Sequence, residues 1–183
     1  MKSTTQLTDE HKGIIWMLEI LGKVCDRLEK GEKIPVEHLE SILEFLQIFA
    51  DKCHHGKEEG LLFPLLEEKG VPKEQGPIAV MLAEHDEGRS YIKGMKEGIE
   101  DYKENGKSEK IIQNGRGYIE LLTNHIGKEN TVLFPMADGM LSNEEDSGLL
   151  SEFENLETEK IGAGKHEEFH KLLGKLNEIY LNE

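Results

Sequence analysis

The sequence predicts an all-α fold: an up-down-up-down antiparallel four-helix bundle with one or two extra C-terminal helices. Three observations favour this class. Apolar residues recur three or four positions apart over most of the 183-residue chain. Alternation typical of β-strands does not occur over a useful length, and short turn-rich segments separate four long apolar stripes. The length is sufficient for one domain with a substantial core.

Each long stripe predicts one bundle helix. The first ends at the segment "KGEKIP", the second near Gly70 with Pro72 beyond it, and the third before "KENGKS". Four helices of roughly 22 to 30 residues, joined by short turns, are typical of an antiparallel bundle. In chain order the stripes cover residues 7–28, 39–70, 78–102 and 112–133.

The chain changes character after Pro135. The segment "ADGMLSNEEDSG" is predicted to be an acidic, turn-rich connection, followed by a short helical piece over residues 149–159. A break at "GAG", Gly162 to Gly164, precedes a final helix, "KHEEFHKLLGKLNEIY". We therefore divide the chain into a bundle over residues 1–140 and a C-terminal helical extension over residues 141–183, packed on the bundle.

Composition excludes several classes of partner. The chain has 37 Asp and Glu against 22 Lys and Arg, a net charge of −15, which argues against nucleic acid and anionic membranes. No run approaches the roughly 18 apolar residues of a membrane span. The N-terminal segment "MKSTTQLTDEH" lacks the apolar core of a secretory signal, so we expect a cytoplasmic protein. Cys25 and Cys53 lie on apolar stripes, which predicts two buried free thiols.

Four of the eight histidines lie on the apolar stripes, one on each predicted bundle helix: His11, His54, His85 and His125. A single histidine on an apolar face is usually a core residue with a hydrogen-bond partner. Burying four imidazoles without partners would be expensive, whereas one shared ligand satisfies them all.

An internal repeat selects the carboxylates that accompany these histidines. "HHGKEEGLLFP" aligns with "HIGKENTVLFP" at an offset of 71 residues (134 minus 63), and "DEH" ending at His11 matches "AEH" ending at His85. His55, which also follows Asp51 and Lys52 at helical spacing, is expected nearer the polar side. We therefore interpret the chain as a duplicated helical hairpin and favour His54 and Glu58 over their neighbours. The alignment pairs His54 with His125 and Glu58 with Glu129, but His55 with Ile126 and Glu59 with Asn130.

The His-x-x-x-Glu spacing suits a metal pair. Residues four apart stack on one helix face with Cβ atoms roughly 6 Å apart, so both side chains can reach one metal or adjacent ones. Two such helices bring Glu58 and Glu129 into one core, where two cations bridged by carboxylates resolve the buried charge. Imidazole and carboxylate ligands without thiolate favour iron or manganese over structural zinc. The alternative is a buried His–Glu hydrogen bond in each half.

The motifs "DEH", "HHGKEEGLLFP", "GPIAVMLAEHDEGR" and "NHIGKENTVLFPMA" resemble the hemerythrin-like (HHE cation-binding) family, near its branch of di-iron proteins that repair iron centres. The resemblance covers about residues 7–140. It implies two non-haem iron ions with an oxo or hydroxo bridge. The implied terminal ligands are His11, His54, His85 and His125, and the implied bridging carboxylates are Glu58 and Glu129.

The sequence departs from this pattern at Arg89. Oxygen-carrying members of the family have a second histidine there, one turn after the first on the third helix. A replacement ligand could come from the tail, where His166 shares a helical stripe with Phe169. We therefore include His166 as a seventh candidate metal ligand. The alternative places His166 and His170 at the edge of an amphipathic helix.

Two functions remain open. One is a di-iron protein that binds dioxygen, peroxide or nitric oxide for sensing, storage or detoxification. The other is a di-iron oxidoreductase or an iron donor for the repair of iron centres after oxidative or nitrosative damage, with an external electron donor. No catalytic residue is predicted apart from the metal ligands, and six inward-facing ligands disfavour a purely structural bundle.

Overall fold

The computed structural model describes residues 1–162 and 164–182, which contain six helices and no strand. Ala163, inside the predicted "GAG" break, and Glu183, at the end of the predicted extension, lie outside the described residues. The predicted all-α fold is confirmed. In chain order the helices are α1 (Lys2–Glu29), α2 (36–68), α3 (Pro77–Asn105), α4 (109–140), α5 (143–161) and α6 (Lys165–Tyr180).

The first four helices form the bundle. Helix α1 packs on α2 and α4, and α3 packs on the same two helices, so the chain runs around the bundle in order. Short connections make consecutive helices antiparallel neighbours. Helices α5 and α6 both pack against α1 and α2, on one side of the bundle. The predicted domain boundary between residues 140 and 141 stays a prediction.

A layer of buried histidines and glutamates divides the apolar core into two clusters. On α1, Leu7 belongs to one cluster and Ile14 to the other, and His11 lies between them. The polar layer therefore crosses the bundle with apolar packing on both sides of it. On α3, His85 likewise lies between Met81 of one cluster and Ile92 of the other. On α4, His125 lies between Leu122 and Leu133, which belong to different clusters.

Two of the bundle helices contain π-helical turns in which the helix widens. Helix α2 is π-helical over Leu46–His55 and Glu58–Leu62, and α4 over Glu129–Leu133. Such turns are rare and are frequently found at functional sites. The turns Glu58–Leu62 and Glu129–Leu133 are separated by the same 71 residues as the sequence motifs. The sequence repeat is therefore also a structural repeat.

Helix α4 continues past Pro135, although the sequence predicted a change of character there. Proline in the interior of an α-helix removes a hydrogen bond and clashes with the preceding turn. Pro64 and Pro135 avoid this because each lies in the first turn of an α-helical segment that starts where a π turn ends. These segments are Phe63–Glu68 and Phe134–Met140.

The predicted acidic connection is also wrong, because α5 begins much earlier than residue 149. The side chain of Ser142 accepts a hydrogen bond from the Glu145 N–H at 3.2 Å, and the Glu145 carboxylate accepts one from the Ser142 N–H at 2.8 Å. This capping box starts α5 at Asn143. Its Ser-x-x-Glu signature was readable in the sequence.

No helix in the described ranges combines the length and the apolar character that a membrane crossing requires.

Candidate metal centre

The fold brings the six bundle residues that the sequence singled out into one buried layer. Each helix of the bundle contributes one histidine, and α2 and α4 each add a glutamate four residues later. All six side chains are excluded from solvent: the histidines are each 1% exposed and the glutamates 0%, for His11, His54, His85, His125, Glu58 and Glu129.

The donor atoms of this layer form two groups. One consists of His11, His54, Glu58 and Glu129, and the other of His55, Glu58, His85 and His125, with the donor atoms of each group within 4.8 Å of one another. Imidazole nitrogens and carboxylate oxygens at such distances are able to share one metal ion.

Each glutamate directs its two oxygens toward both groups. Oε2 of Glu129 lies 3.0 Å from Nε2 of His11, while its Oε1 lies 3.0 Å from Nε2 of His125. Oε1 of Glu58 lies 3.6 Å from Nε2 of His54, and its Oε2 lies 3.3 Å from Nε2 of His85. This is the arrangement that a carboxylate needs in order to bridge two cations.

Outer hydrogen bonds within each half of the repeat fix the orientation of one histidine ring. Nδ1 of His54 donates to Oε2 of Glu10 at 2.8 Å, and Nδ1 of His125 donates to Oε2 of Glu84 at 2.8 Å. Glu10 and Glu84 are equivalent residues of the two halves, because each directly precedes the first histidine of its hairpin. A carboxylate that accepts from one ring nitrogen is the usual partner of a metal-binding histidine.

The other two rings are held between the halves. Nδ1 of His11 donates to Oδ1 of Asn130 at 2.9 Å, and Nδ1 of His85 donates to Oε1 of Glu59 at 2.7 Å. Glu59 and Asn130 occupy the same position of the repeat. That position therefore supports a histidine of the opposite half, a task that a carboxylate and a carboxamide oxygen can both perform.

With the Nδ1 protons directed outward, the inner atoms are all hydrogen-bond acceptors. Nε2 of His85 and Nε2 of His125 face each other at 3.1 Å. Buried acceptors facing one another without donors repel each other and are costly, whereas cations between them satisfy all of them at once. Among the described residues, the buried atoms that make no hydrogen bond include Nε2 of His11, His54 and His55 and both carboxylate oxygens of Glu58 and of Glu129. The residues therefore fit a metal centre.

In the absence of a cation, protons take over part of this neutralisation. Burial lowers the pKa of His85, but the close carboxylates of Glu58 and Glu59 outweigh it and raise that pKa to about 9. Burial raises the pKa of Glu129, but the close imidazoles of His11 and His125 outweigh it and hold that pKa well below its usual range. Metal ions and protons therefore compete for the same atoms.

The hemerythrin HHE cation-binding domain matches this chain over residues 3–137, which includes the four histidines and two glutamates singled out by the sequence. The chain belongs to this family.

Relatives of this hemerythrin domain carry the name iron-sulfur cluster repair protein YtfE. Those of Escherichia coli O157:H7 and Shigella boydii serotype 18 are 36% identical over 88 residues, and that of Salmonella paratyphi B is 38% identical over 88 residues. Each alignment covers 46% of this chain and 40% of the relative, so the chain matches about two fifths of the relatives' length. No solved structure matches the chain.

His55 differs from the sequence prediction that placed it nearer the polar side. It is 3% exposed, and its ring stacks on His85 with centroids 3.9 Å apart. Burial and the neighbouring imidazoles lower the pKa of His55 well below its usual value, which keeps the ring neutral. The prediction is wrong because Leu46–His55 is π-helical, so each residue turns through a smaller angle than in an α-helix. The His-His doublet was the available signal for this extra donor.

Arg89 lies where oxygen-carrying hemerythrins are expected to have a histidine. Its Nε donates to Oδ1 of Asp51 at 3.0 Å, and its NH2 group donates to Oε1 of Glu59 at 2.7 Å. The same Glu59 oxygen accepts the hydrogen bond from His85. In this hemerythrin domain Arg89 therefore orients the carboxylate that supports a candidate ligand.

His166, the seventh candidate from the sequence, is not among the residues that the structure brings together in this layer. Its Nε2 lies 3.5 Å from Sγ of Cys53 and 3.8 Å from Oε1 of Glu157. His170, one turn further, lies with its ring 6.4 Å from that of Trp16. The tail histidines thus lie beside the hemerythrin bundle, outside the layer of candidate ligands.

Lys57 places a buried positive charge beside Glu10, which holds the His54 ring, and the sequence did not predict this contact. Its ammonium group is completely buried and contacts the carboxylates of both Glu10 and Glu157. Burial raises the pKa of Glu10, but His54 and Lys57 outweigh it and lower that pKa to about 2. The equivalent Lys128 contacts Glu84, yet its side chain is 43% exposed.

Proposed function

We propose that this hemerythrin domain holds two iron ions with an oxo or hydroxo bridge. His11 and His54 would be terminal ligands of one ion, His85 and His125 of the other, and Glu58 and Glu129 would bridge them. The observation that supports this most strongly is the orientation of the two carboxylates, each with one oxygen toward each group.

The donor chemistry and the relatives favour iron. Neither group contains a thiolate, and mixed imidazole and carboxylate ligands suit iron or manganese. The relatives are named for iron–sulfur cluster repair, which supports iron as the metal handled by proteins of this kind.

We further propose that the iron pair serves the repair of iron centres, with an external electron donor. Bound iron would supply exchangeable electrons and a source of iron for a damaged cluster. The chain orients the ligands through Glu10, Glu59, Glu84 and Asn130, and the apolar clusters on both sides exclude water from the layer. Because the net charge is −15, we expect neither nucleic acid nor a membrane as a partner. We also propose a cytoplasmic location.

Iron transfer tests this function directly. The iron-loaded chain would be the sole iron source for rebuilding the cluster of an iron-depleted [4Fe–4S] dehydratase, with sulfide and a reductant supplied. We expect dehydratase activity to return faster than with the same amount of iron chelated by citrate. Equal rates would contradict a repair function, and a Glu129→Ala chain treated in the same way is the matched control.

Binding of a small ligand is a second candidate, and the inequality of the two groups favours it. The group with His85 and His125 also contains His55, whereas the group with His11 has only two imidazoles. With both carboxylates shared and His55 as an additional ligand of the second ion, the ion held by His11 and His54 would have fewer protein donors and would leave a position for dioxygen, peroxide or nitric oxide. Rapid mixing of the reduced protein with each ligand should give a new visible spectrum for at least one of them; no change with any would exclude this role.

A further inference from the structure

A second set of metal-binding side chains lies outside the histidine–glutamate layer. It consists of Cys53 on α2, Glu157 on α5 and His166 on α6, with one donor atom of each within 4.8 Å of the others. Sγ of Cys53 lies 3.5 Å from Nε2 of His166, which lies 3.8 Å from the Glu157 carboxylate. Three ligand types from three separate helices therefore converge at one point.

The turn between α5 and α6 brings two of these residues together. Glu157 begins the π-helical turn Glu157–Ile161 that ends α5. Gly162 and Gly164 then adopt φ values of 93° and 86°, in the left-handed region that residues with a Cβ rarely enter. The chain reverses there, and His166 comes to lie beside Glu157 above the buried sulfur of Cys53.

Two of the three residues are accessible from solvent, whereas Cys53 is buried. A cavity of about 920 Å³ is lined by Glu157 and His166, whose side chains are 26% and 40% exposed. Asp9 and Glu10 line the same cavity and add negative charge to it. A cation could therefore reach Glu157 and His166 from the cavity, and Sγ of Cys53 lies 3.5 Å from Nε2 of His166.

We propose that Cys53, Glu157 and His166 form a third metal site, which binds a divalent cation of borderline softness such as zinc or iron(II). One sulfur, one nitrogen and one oxygen ligand suit such ions, and three protein ligands leave a fourth position open toward the cavity. Binding replaces the thiol proton of Cys53 by the metal, and the proton is released to solvent.

The buried ammonium group of Lys57 sets the strength of this site. It contacts Glu157 and repels a second cation there, so the third site binds more weakly than the histidine–glutamate layer and exchanges its ion readily. The site shares no ligand with that layer.

Cobalt(II) tests the proposal, because thiolate binding gives a near-ultraviolet charge-transfer band that imidazole and carboxylate ligands do not give. The full-length chain, with its iron loaded as purified, is titrated with cobalt(II). We expect a band that saturates at about one cobalt per chain, since the cluster provides one site. Zinc(II) added afterwards should remove the band by competition.

Four variants separate the site from general effects. Cys53→Ser should abolish the band, whereas Cys25→Ser, which removes the other buried thiol, should keep it. His166→Ala should weaken cobalt binding by at least about tenfold, the lower limit for losing even an outer-shell partner. His170 lines the same cavity, and His170→Ala should leave the affinity for cobalt unchanged. Absence of the band in the unmodified chain, its persistence in Cys53→Ser, or equal loss in both histidine variants would overturn the proposal.

Discussion

Glu58 and Glu59 are neighbours in the sequence, but only Glu58 lies inside the candidate centre, and Glu59 lies behind one of its histidines. Glu58 is fully buried between the two groups of histidines, whereas Glu59 accepts the Nδ1 hydrogen bond of His85 and a second one from Arg89. The repeat predicts Glu58 rather than Glu59 as a ligand, because Glu58 is repeated as Glu129 whereas Glu59 is replaced by Asn130. This assignment stays a prediction, and at the scale of single residues we propose a separation between binding the metal, by Glu58, and orienting its ligands, by Glu59.

This separation predicts different losses of iron. Glu58→Ala and Glu129→Ala should each lose most of the bound metal, because each removes a carboxylate that faces both groups. Glu59→Ala should still load fully, with an affinity lower by about 10- to 100-fold. Iron per chain is measured before and after dialysis against a chelator. Loss of iron from Glu59→Ala before the chelator is added would place this residue among the ligands.

The two equivalent lysines should differ in their contribution to stability. Lys57→Met leaves Glu10 and Glu157 without their buried cation and should lower the free energy of unfolding by about 3–5 kcal/mol. Lys128→Met removes a half-exposed ion pair with Glu84 and should cost less than about 1 kcal/mol. Urea unfolding of both metal-free variants measures the difference. Equal losses would mean that burial of Lys57 is not what makes it important.

Metal binding should strengthen as pH rises. The pKa of His85 in the metal-free fold is about 9, so its proton must leave before Nε2 can bind a cation. The apparent affinity should therefore increase with pH up to about pH 9 and level off above it. The electron paramagnetic resonance signal of free manganese(II), a redox-stable probe, measures it. An affinity that stays constant over this range would show that no proton is displaced.

The geometry of the helices decided which features the sequence could predict. The repeat and the apolar stripes correctly placed all four bundle helices and four inward-facing histidines. His11, His85 and His125 lie in α-helical segments, whereas His54 and His55 both lie in a π-helical stretch. The prediction was wrong for His55, which ends a π-helical stretch, and at Pro135, which follows a π turn. A wider turn changes the angle between successive side chains, and no local residue pattern reveals it. The capping box at Ser142 was readable and was missed.

Close packing of α3 on α4 explains one of the glycines inside the helices. A Cβ at Gly98 would lie 2.8 Å from the backbone nitrogen of Ile111, and backbone cannot move aside as a flexible side chain can. Gly98→Ala should therefore lower stability by about 1–3 kcal/mol, although alanine is the better helix former. Gly174 in α6 has nothing within 4 Å of such a Cβ, so Gly174→Ala should raise stability by about 0.5–1 kcal/mol. Urea unfolding compares them, and stabilisation by both substitutions would contradict close packing at Gly98.

At the scale of the whole molecule, duplication gives the centre its approximate two-fold arrangement. Each half supplies a first histidine, a His-x-x-x-Glu pair and the outer residue that holds a histidine of the other half. The C-terminal helices break this symmetry, because they pack against α1 and α2, where Lys57 is buried. Lys57 is thus enclosed, whereas the equivalent Lys128 remains partly exposed.

The metal content of the chain after aerobic, iron-replete expression tests the central claim most directly. Two groups of donors that share Glu58, with Glu129 facing both, predict about two iron ions per chain. His166→Ala should retain both ions, because His166 lies outside the layer. A single zinc per chain, or no metal after iron-replete expression, would contradict a di-iron centre.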